Sequence, residues 1–217
     1  MTEGFTIIRN AVPAGLLEGL RQRFAHCDHD RRGGLRNALE VAEVLAAVDE
    51  LRPLANRLGG APMRCVRGIV FDKTPAANWR VAWHQDRSIA VTGRSDVPGF
   101  GPWSIKEGVD HVQPPADVLE SMVTLRLHLD ACGADNGPLR VIPGSHCSGI
   151  LDERQMERVR SKSPAVVVAC DAGDVLAMRP LLLHASSAAA QPARRRVVHL
   201  EYCAHELPEP MRWRWRV

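Results

Sequence analysis

The run Asn78–Val91, NWRVAWHQDRSIAV, decides how the chain is read. Its apolar residues alternate in the manner of a half-buried β-strand. In a strand, residues i and i+2 point to the same face. His84 and Asp86 therefore fall together, with Trp83 and Gln85 on the opposite face toward the packing. An imidazole and a carboxylate side by side suit a divalent metal. A third ligand must come from far along the chain. His184, ending the apolar part of RPLLLHASS, is the best-placed candidate. His146 competes, but it follows the Pro143-Gly144 turn, where a hydrogen-bonding role suits it better. Two histidines and one carboxylate leave three open positions on a metal, as in the facial ligand set of non-haem Fe(II) sites. A bare His-x-Asp is common by chance. The strand pattern around it, the long segment after it and the distant histidine give it weight.

Outward from this run, the chain divides in texture. Residues 4–9 read as a short strand, and PAGLLEGLRQRF (13–24) places Leu16, Leu17, Leu20 and Phe24 on one helical face. HCDHDRRGG (26–34) reads as a polar loop. His26, Asp28, His29 and Asp30 fit a solvated loop better than a metal loop. Asn37 with Glu40 three residues on suggests an N-cap pair. A second helix follows on Val41, Val44, Leu45, Val48 and Leu51, with Pro53 as a bend or an end. From Arg64 onward the segments MRCVRGIVF, SMVTLRLHL, PLRVIPG, AVVVAC, DVLAMRP and RRVVHLEYC are short and β-rich, separated by turn signals. LDERQMERVR (151–160) is a short charged helix between strands. Residues 92–117 hold many glycines and prolines and little periodicity, which predicts a long loop, either a lid or disordered. The expectation is a mainly β domain with flanking N-terminal helices, one domain over 1–217, with a helical flank about 11–60 and a β core about 61–205.

The 217 residues carry a net charge of +3, which permits nucleic-acid binding without demanding it. No apolar run has the length of a membrane span. The N-terminus lacks the layout of a signal peptide. The six cysteines are scattered without a CxxC pair, which fits reduced thiols and a cytoplasmic location.

Further side chains are candidates. Arg195 lies eleven positions after His184, and Ser186 two after it. An arginine fork with a hydroxyl suits a buried carboxylate. In a strand Arg195 turns inward while Arg194 and Arg196 take the other face, as a solvated basic patch. Arg126 is either an inward anion partner, sharing its face with Thr124 and His128, or a surface residue on an edge strand. Lys73, Trp103 and Arg140 are candidate substrate contacts. Arg126, Lys73 and Arg140 together hint at a polar or anionic small molecule.

WHQD (83–86), then NGPLRVIPGSH (136–146), then AGDVLAMRPLLLHASS (172–187) with Arg194–Arg196 following, resembles in its order the phytanoyl-CoA dioxygenase family of Fe(II)/2-oxoglutarate oxygenases. The likeness runs from GFTIIRNAVP (4–13) to Tyr202. It implies a double-stranded β-helix, the jelly roll of cupin-like proteins. It implies Fe(II), 2-oxoglutarate and O2, with His84, Asp86 and His184 as the catalytic iron ligands. Arg195, assisted by Ser186, would bind the far carboxylate of 2-oxoglutarate, and Arg126 with Thr124 could hold a second carboxylate. The family often has tryptophan where Arg126 stands. Related halogenases have a small residue at the position of Asp86, so the aspartate argues for hydroxylation, or for desaturation or ring chemistry. The chain is short for the family, which argues against a substrate as large as an acyl-CoA. Two other readings stand beside this one. The arginine runs and the tail RWRWRV suggest a nucleic-acid- or protein-modifying oxygenase. A jelly-roll metal protein that does not use 2-oxoglutarate is the other.

Overall fold

The computed structural model describes residues 1–26 and 34–217. In chain order its elements are β1 (Phe5–Ile8), α1 (Ala14–Arg23), α2 (Ala42–Gly59), β2 (Arg64–Lys73), β3 (Val81–His84), β4 (Ile89–Val91), β5 (Trp103–Lys106) and β6 (Val109–Val112). There follow α3 (Ala116–Ser121), β7 (Val123–His128), β8 (Leu139–Val141), α4 (Glu153–Lys162), β9 (Val166–Val168), β10 (Val175–Met178), β11 (His184–Ser186) and β12 (Arg195–Cys203). Every named pairing is antiparallel. One sheet has the order β1-β10-β7-β12-β2, a second β3-β11-β8-β9, and a third β4-β6-β5. The expected mainly β jelly roll with N-terminal helices is what forms.

The alternation of β12 organises the interior. Val198, Leu200 and Tyr202 face the helices, while Arg195, Val197, His199 and Glu201 face the second sheet. On the helix side, Val44, Ala47, Val48, Leu51, Leu54 and Ala55 give α2 its buried stripe. The Tyr202 hydroxyl donates to Val48 O at 3.1 Å, so the largest buried side chain of β12 also satisfies its one polar atom. A second apolar cluster, with Leu176, Met178, Val141 and Leu182, lies between the five- and four-stranded sheets.

Several sequence expectations are corrected. Pro53 does not end α2, which runs on to Gly59 and stops at Gly60 in the left-handed region. Asn37 is not the N-cap of α2, because a 3-10 turn (Ala38–Glu40) intervenes and the helix starts only at Ala42. The Asn37 Oδ1 atom is buried without a partner. Residues 92–117 are not an irregular loop. They contain β5 and β6, joined by Glu107-Gly108, both at positive φ as a two-residue hairpin requires. The glycines and prolines around two four-residue strands hid their alternation. The solvated polar loop expected at residues 26–34 falls, apart from His26 and Gly34, outside the described residues.

The basic segments are built into the fold. Arg194 donates to both Asp72 oxygens and to the carbonyls of Phe24 and Ala25. Arg196 forms a fork with Asp130 and reaches Arg21 O. They lie on the opposite face from Arg195, as expected, but they tie β12 to α1 rather than forming a solvated patch. The tail is similarly anchored: Cys65 and Val217 exchange two backbone hydrogen bonds, and Trp213 Nε1 donates to His205 O. Among the described residues, no helix is long and apolar enough to cross a membrane.

Candidate active site

β3 and β11 pair so that His84 stands directly opposite His184. Their rings are 4.2 Å apart, centroid to centroid. β3 ends at His84, so Asp86 is not itself on the strand; its amide instead donates to Pro180 O at 2.9 Å. The extended backbone still carries Asp86 to the histidine face. His84 Nε2 lies 3.7 Å from Asp86 Oδ1, and His184 Nε2 lies 3.7 Å from Asp86 Oδ2. One potential ligand atom from each residue lies within 4.8 Å of the other two.

Hydrogen bonds set the tautomers. His84 Nδ1 is 2.8 Å from Ala82 O, and His184 Nδ1 is 2.8 Å from Leu182 O. A carbonyl can only accept, so each Nδ1 carries the proton and each Nε2 presents its lone pair. Burial lowers the His184 pKa to about 4, keeping the imidazole neutral. Burial alone would raise the Asp86 carboxyl, but His184 and His84 hold it well below the usual carboxylate range. Asp86 Oδ2 is buried with no hydrogen-bond partner. Two imidazole Nε2 atoms facing a carboxylate with an unsatisfied oxygen fit a first-row divalent ion.

Gln85, as expected, turns away. Its amide donates to Gly149 O and Leu181 O and accepts from Leu151 N, fixing the backbone between the ligands. Trp83 packs on the outer face, between the guanidinium groups of Arg140 and Arg160.

These three side chains open into a cavity of about 320 Å³ between the two larger sheets. Arg195 on β12 stands opposite Lys73 on β2. Arg195 Nη1 donates to Gly137 O and Cys132 Sγ, while its Nε is buried and unsatisfied. Lys73 Nζ donates to Trp79 O at 2.7 Å and to Ser186 Oγ at 3.2 Å. Burial, and then Arg195 and Arg126, lower the Lys73 pKa to about 7. An arginine, a lysine and a hydroxyl thus converge where a carboxylate could enter. Ser186 reaches this group through Lys73 rather than through Arg195.

Arg126 resolves as an inward residue on a central strand. It stacks on Phe71 and donates from Nη1 to His199 Nδ1 at 2.7 Å. That bond places the remaining ring proton on His199 Nε2, which donates to Glu201 Oε1 at 3.1 Å. Arg67 Nη1 closes the chain on the same oxygen at 3.2 Å. Burial would raise the Glu201 carboxyl, but Arg67 and His199 pull it below its ordinary value.

Three anticipated contacts lie elsewhere. Trp103 packs against the apolar cluster around Val112 and under Arg94, outside the cavity. Arg140 pairs with Ala185, one residue out of phase with His184 and Ser186, and so faces outward onto Trp83. Thr124 shares the face of Arg126 but does not line the cavity, and its Oγ1 is buried without a partner. His146 lies beside Cys147, away from the metal candidates. Sequence reasoning passed over Arg67, His199 and Glu201. The alternation from Arg195 through Val197 and His199 to Glu201 was the available signal. Arg36 and Lys106, which also line the cavity, come from segments with no such pattern.

Comparison with known proteins gives consistent findings. No curated protein sequence matches significantly. A crystal structure of AviO1 from Streptomyces viridochromogenes Tue57 has a TM-score of 0.66 at 23% identity, covering 95% of this chain and 92% of that one. The epimerase SnoN, solved in complex with Fe3+, alpha ketoglutarate and nogalamycin RO, has a TM-score of 0.66 at 19% identity, covering 93% and 79%. EctD from S. alaskensis, solved with 2-oxoglutarate and 5-hydroxyectoine, has a TM-score of 0.68 at 18% identity, covering 94% and 73%. These likenesses establish the fold. The family model for phytanoyl-CoA dioxygenase (PhyH) matches residues 1–197, and the chain belongs to that family.

Proposed function

We propose that the protein is a non-haem Fe(II)/2-oxoglutarate-dependent dioxygenase that hydroxylates a C–H bond of a polar small molecule, releasing succinate and CO2. The observation that carries this reading is the pair of Nε2 lone pairs converging on Asp86, whose buried Oδ2 has no other partner. When bound, Fe(II) would couple oxidative decarboxylation of 2-oxoglutarate by O2 to oxidation of the substrate. Its ligands would be His84, Asp86 and His184. Arg195 would take the far carboxylate of 2-oxoglutarate, with Lys73 and Ser186 beside it. A fixed guanidinium suits this role, since it pairs with a carboxylate in two places and keeps its charge when buried. Arg126, held by His199 and Phe71, presents a further cation to the same region. Ile69, Phe71 and Val197 make an apolar wall that keeps water from the reacting centre. The Fe3+ and alpha ketoglutarate bound in SnoN support the pairing of metal with 2-oxoglutarate, and the 2-oxoglutarate bound in EctD supports the cosubstrate.

The reading as a nucleic-acid-modifying enzyme loses part of its motive, because Arg194 and Arg196 are tied into the fold by Asp72 and Asp130, and in the tail Arg212 and Arg216 pair with Glu209 and Glu206. The test separates the remaining alternatives. Anaerobic Fe(II) plus 2-oxoglutarate should give a weak visible charge-transfer band, and admission of O2 should release succinate. His184→Ala and Arg195→Ala should each remove the band at modest 2-oxoglutarate. A wild-type protein that shows neither band nor succinate would overturn the proposal.

A further inference from the structure

The cavity carries more positive charge than the proposed cosubstrate needs. Seven basic side chains line it against two carboxylates, Asp86 and Glu201. A divalent metal and a dianionic cosubstrate cancel one another, so loading the site leaves this excess in place.

The basic residues fall into two sets. Lys73 and Arg195 stand at one end, with Arg126, opposite His199, between them and the other end; Lys73 feels the like charges of Arg195 and Arg126. Arg67, Arg36 and Lys106 stand at the other, where both Arg36 and Lys106 feel Arg67. The register of β12 on β2 fixes the separation. Arg195 is opposite Lys73 and Glu201 is opposite Arg67, six residues further on. At about 3.3 Å per residue the two ends lie about 20 Å apart along the strand. Val197, Phe71 and Ile69 make the wall between them. Asp86 feels both His199 and Arg67, and Arg126, bonded to His199, feels Asp86, so the three candidate ligands sit near the middle of this wall.

At the second end the protein's own anions are already engaged. Glu201 is held by Arg67 and His199. Lys106 Nζ donates to the uncharged Ser88 Oγ at 2.7 Å. Arg36 is half-buried and, among the described residues, makes no hydrogen bond or ion pair; Glu107, Glu201 and Asp86 act on it only at longer range. Arg87, the seventh basic residue, is exposed and donates to Leu151 O. Cations withdrawn into a cavity wall without a counter-ion are costly unless a ligand supplies one.

We propose that the Arg36–Lys106–Arg67 end of the cavity is the substrate subsite, and that it takes an anionic group, a phosphate ester or a carboxylate, on a small molecule whose reacting carbon extends back toward His84, Asp86 and His184. The assignment rests on the dioxygenase reading, and it moves the substrate contacts from Trp103 and Arg140 to residues on the other side of the metal ligands.

The test is calorimetric titration of inorganic phosphate, and separately of acetate, into protein loaded with Ni(II) and 2-oxoglutarate. Prior loading occupies the Arg195 end. Wild type should bind one equivalent of anion. Arg36→Gln and Lys106→Gln should each weaken binding about tenfold, as loss of a hydrogen bond to a charged group does. Arg140→Gln, on the outer face, should leave it unchanged. Tighter binding of phosphate assigns a phosphate ester, and tighter binding of acetate a carboxylate. Absence of anion binding by the loaded wild type, or equal binding by wild type and both variants, would overturn the subsite. Failure to load Ni(II) and 2-oxoglutarate would count against the dioxygenase reading instead, and the same titration on metal-free protein would still test the anion site.

Discussion

The two sheets that face each other across the cavity do different work. The four-stranded sheet contributes His84 and His184 from strands of four and three residues, at one antiparallel pair. The five-stranded sheet contributes charge from β12 and β2, nine and ten residues long, in a ladder from Arg195 and Lys73 to Glu201 and Arg67. A metal site needs three atoms close together, so short strands suffice. Arranging cations around two ligands needs length, and the longest strand pair supplies it. The sheets should therefore fail differently when altered.

The largest effect should come from the short sheet. Asp86→Ala removes the only carboxylate of the proposed ligand set, and succinate formation should fall to background while the thermal melt of the metal-free protein stays close to wild type. A large drop in melting temperature would show that the ligands also hold the fold, erasing the contrast. Next is the long sheet. Glu201→Ala leaves the Arg67 guanidinium buried without its partner, which costs about 3 kcal/mol or more. For a chain of this size the melting temperature should fall by about 10 °C. Glu201→Gln, which keeps the shape and part of the hydrogen bonding, should lose less. A Glu201→Ala protein as stable as wild type would mean that the ladder contributes little to stability.

The smallest effect, between pH 7 and pH 5, is one of protonation. His128, on the same strand as Arg126, is buried, and burial followed by Arg126 and Arg195 lowers its pKa to about 3. The unfolded chain takes up this proton near the ordinary histidine value of about 6.5, while the folded chain does not. Folding therefore binds fewer protons, and stability falls as pH drops from about 6.5 toward 3, by up to about 1.4 kcal/mol per pH unit. Above that window His128 has no effect. Denaturant titrations at pH 7 and pH 5 should show the loss, and His128→Gln should reduce it. An unchanged slope in that variant would assign the pH dependence to other groups.

The same contrast explains what was legible in the sequence. His84 and Asp86 are two residues apart, so their shared face follows from extended backbone whether or not the strand continues. His184 could be paired with them because it closes an apolar run. Arg195 was legible from its distance to His184. From that phase His199 and Glu201 follow by counting in twos, a step obscured because β12 is buried on both faces and Val197 interrupts the polar series on the cavity side. Trp103 and Arg140 were misplaced for separate reasons. The strand that holds Trp103 has four residues and follows a long glycine- and proline-rich approach, and the phase of β8 is set by its pairing with β11. Arg36 and Lys106 reach the cavity through tertiary contacts that carry no local pattern.

His84 and His184 are each held at Nδ1 by the carbonyl two residues before them, of Ala82 and of Leu182. The rings are thus positioned by the backbone rather than by the ion. A chelator that strips the metal should leave a socket, not a collapsed site. One preparation of stripped protein can then be reloaded in turn with Mn(II), Co(II) or Ni(II), so that a magnetic, an optical and a redox-silent probe all report on the same ligand geometry.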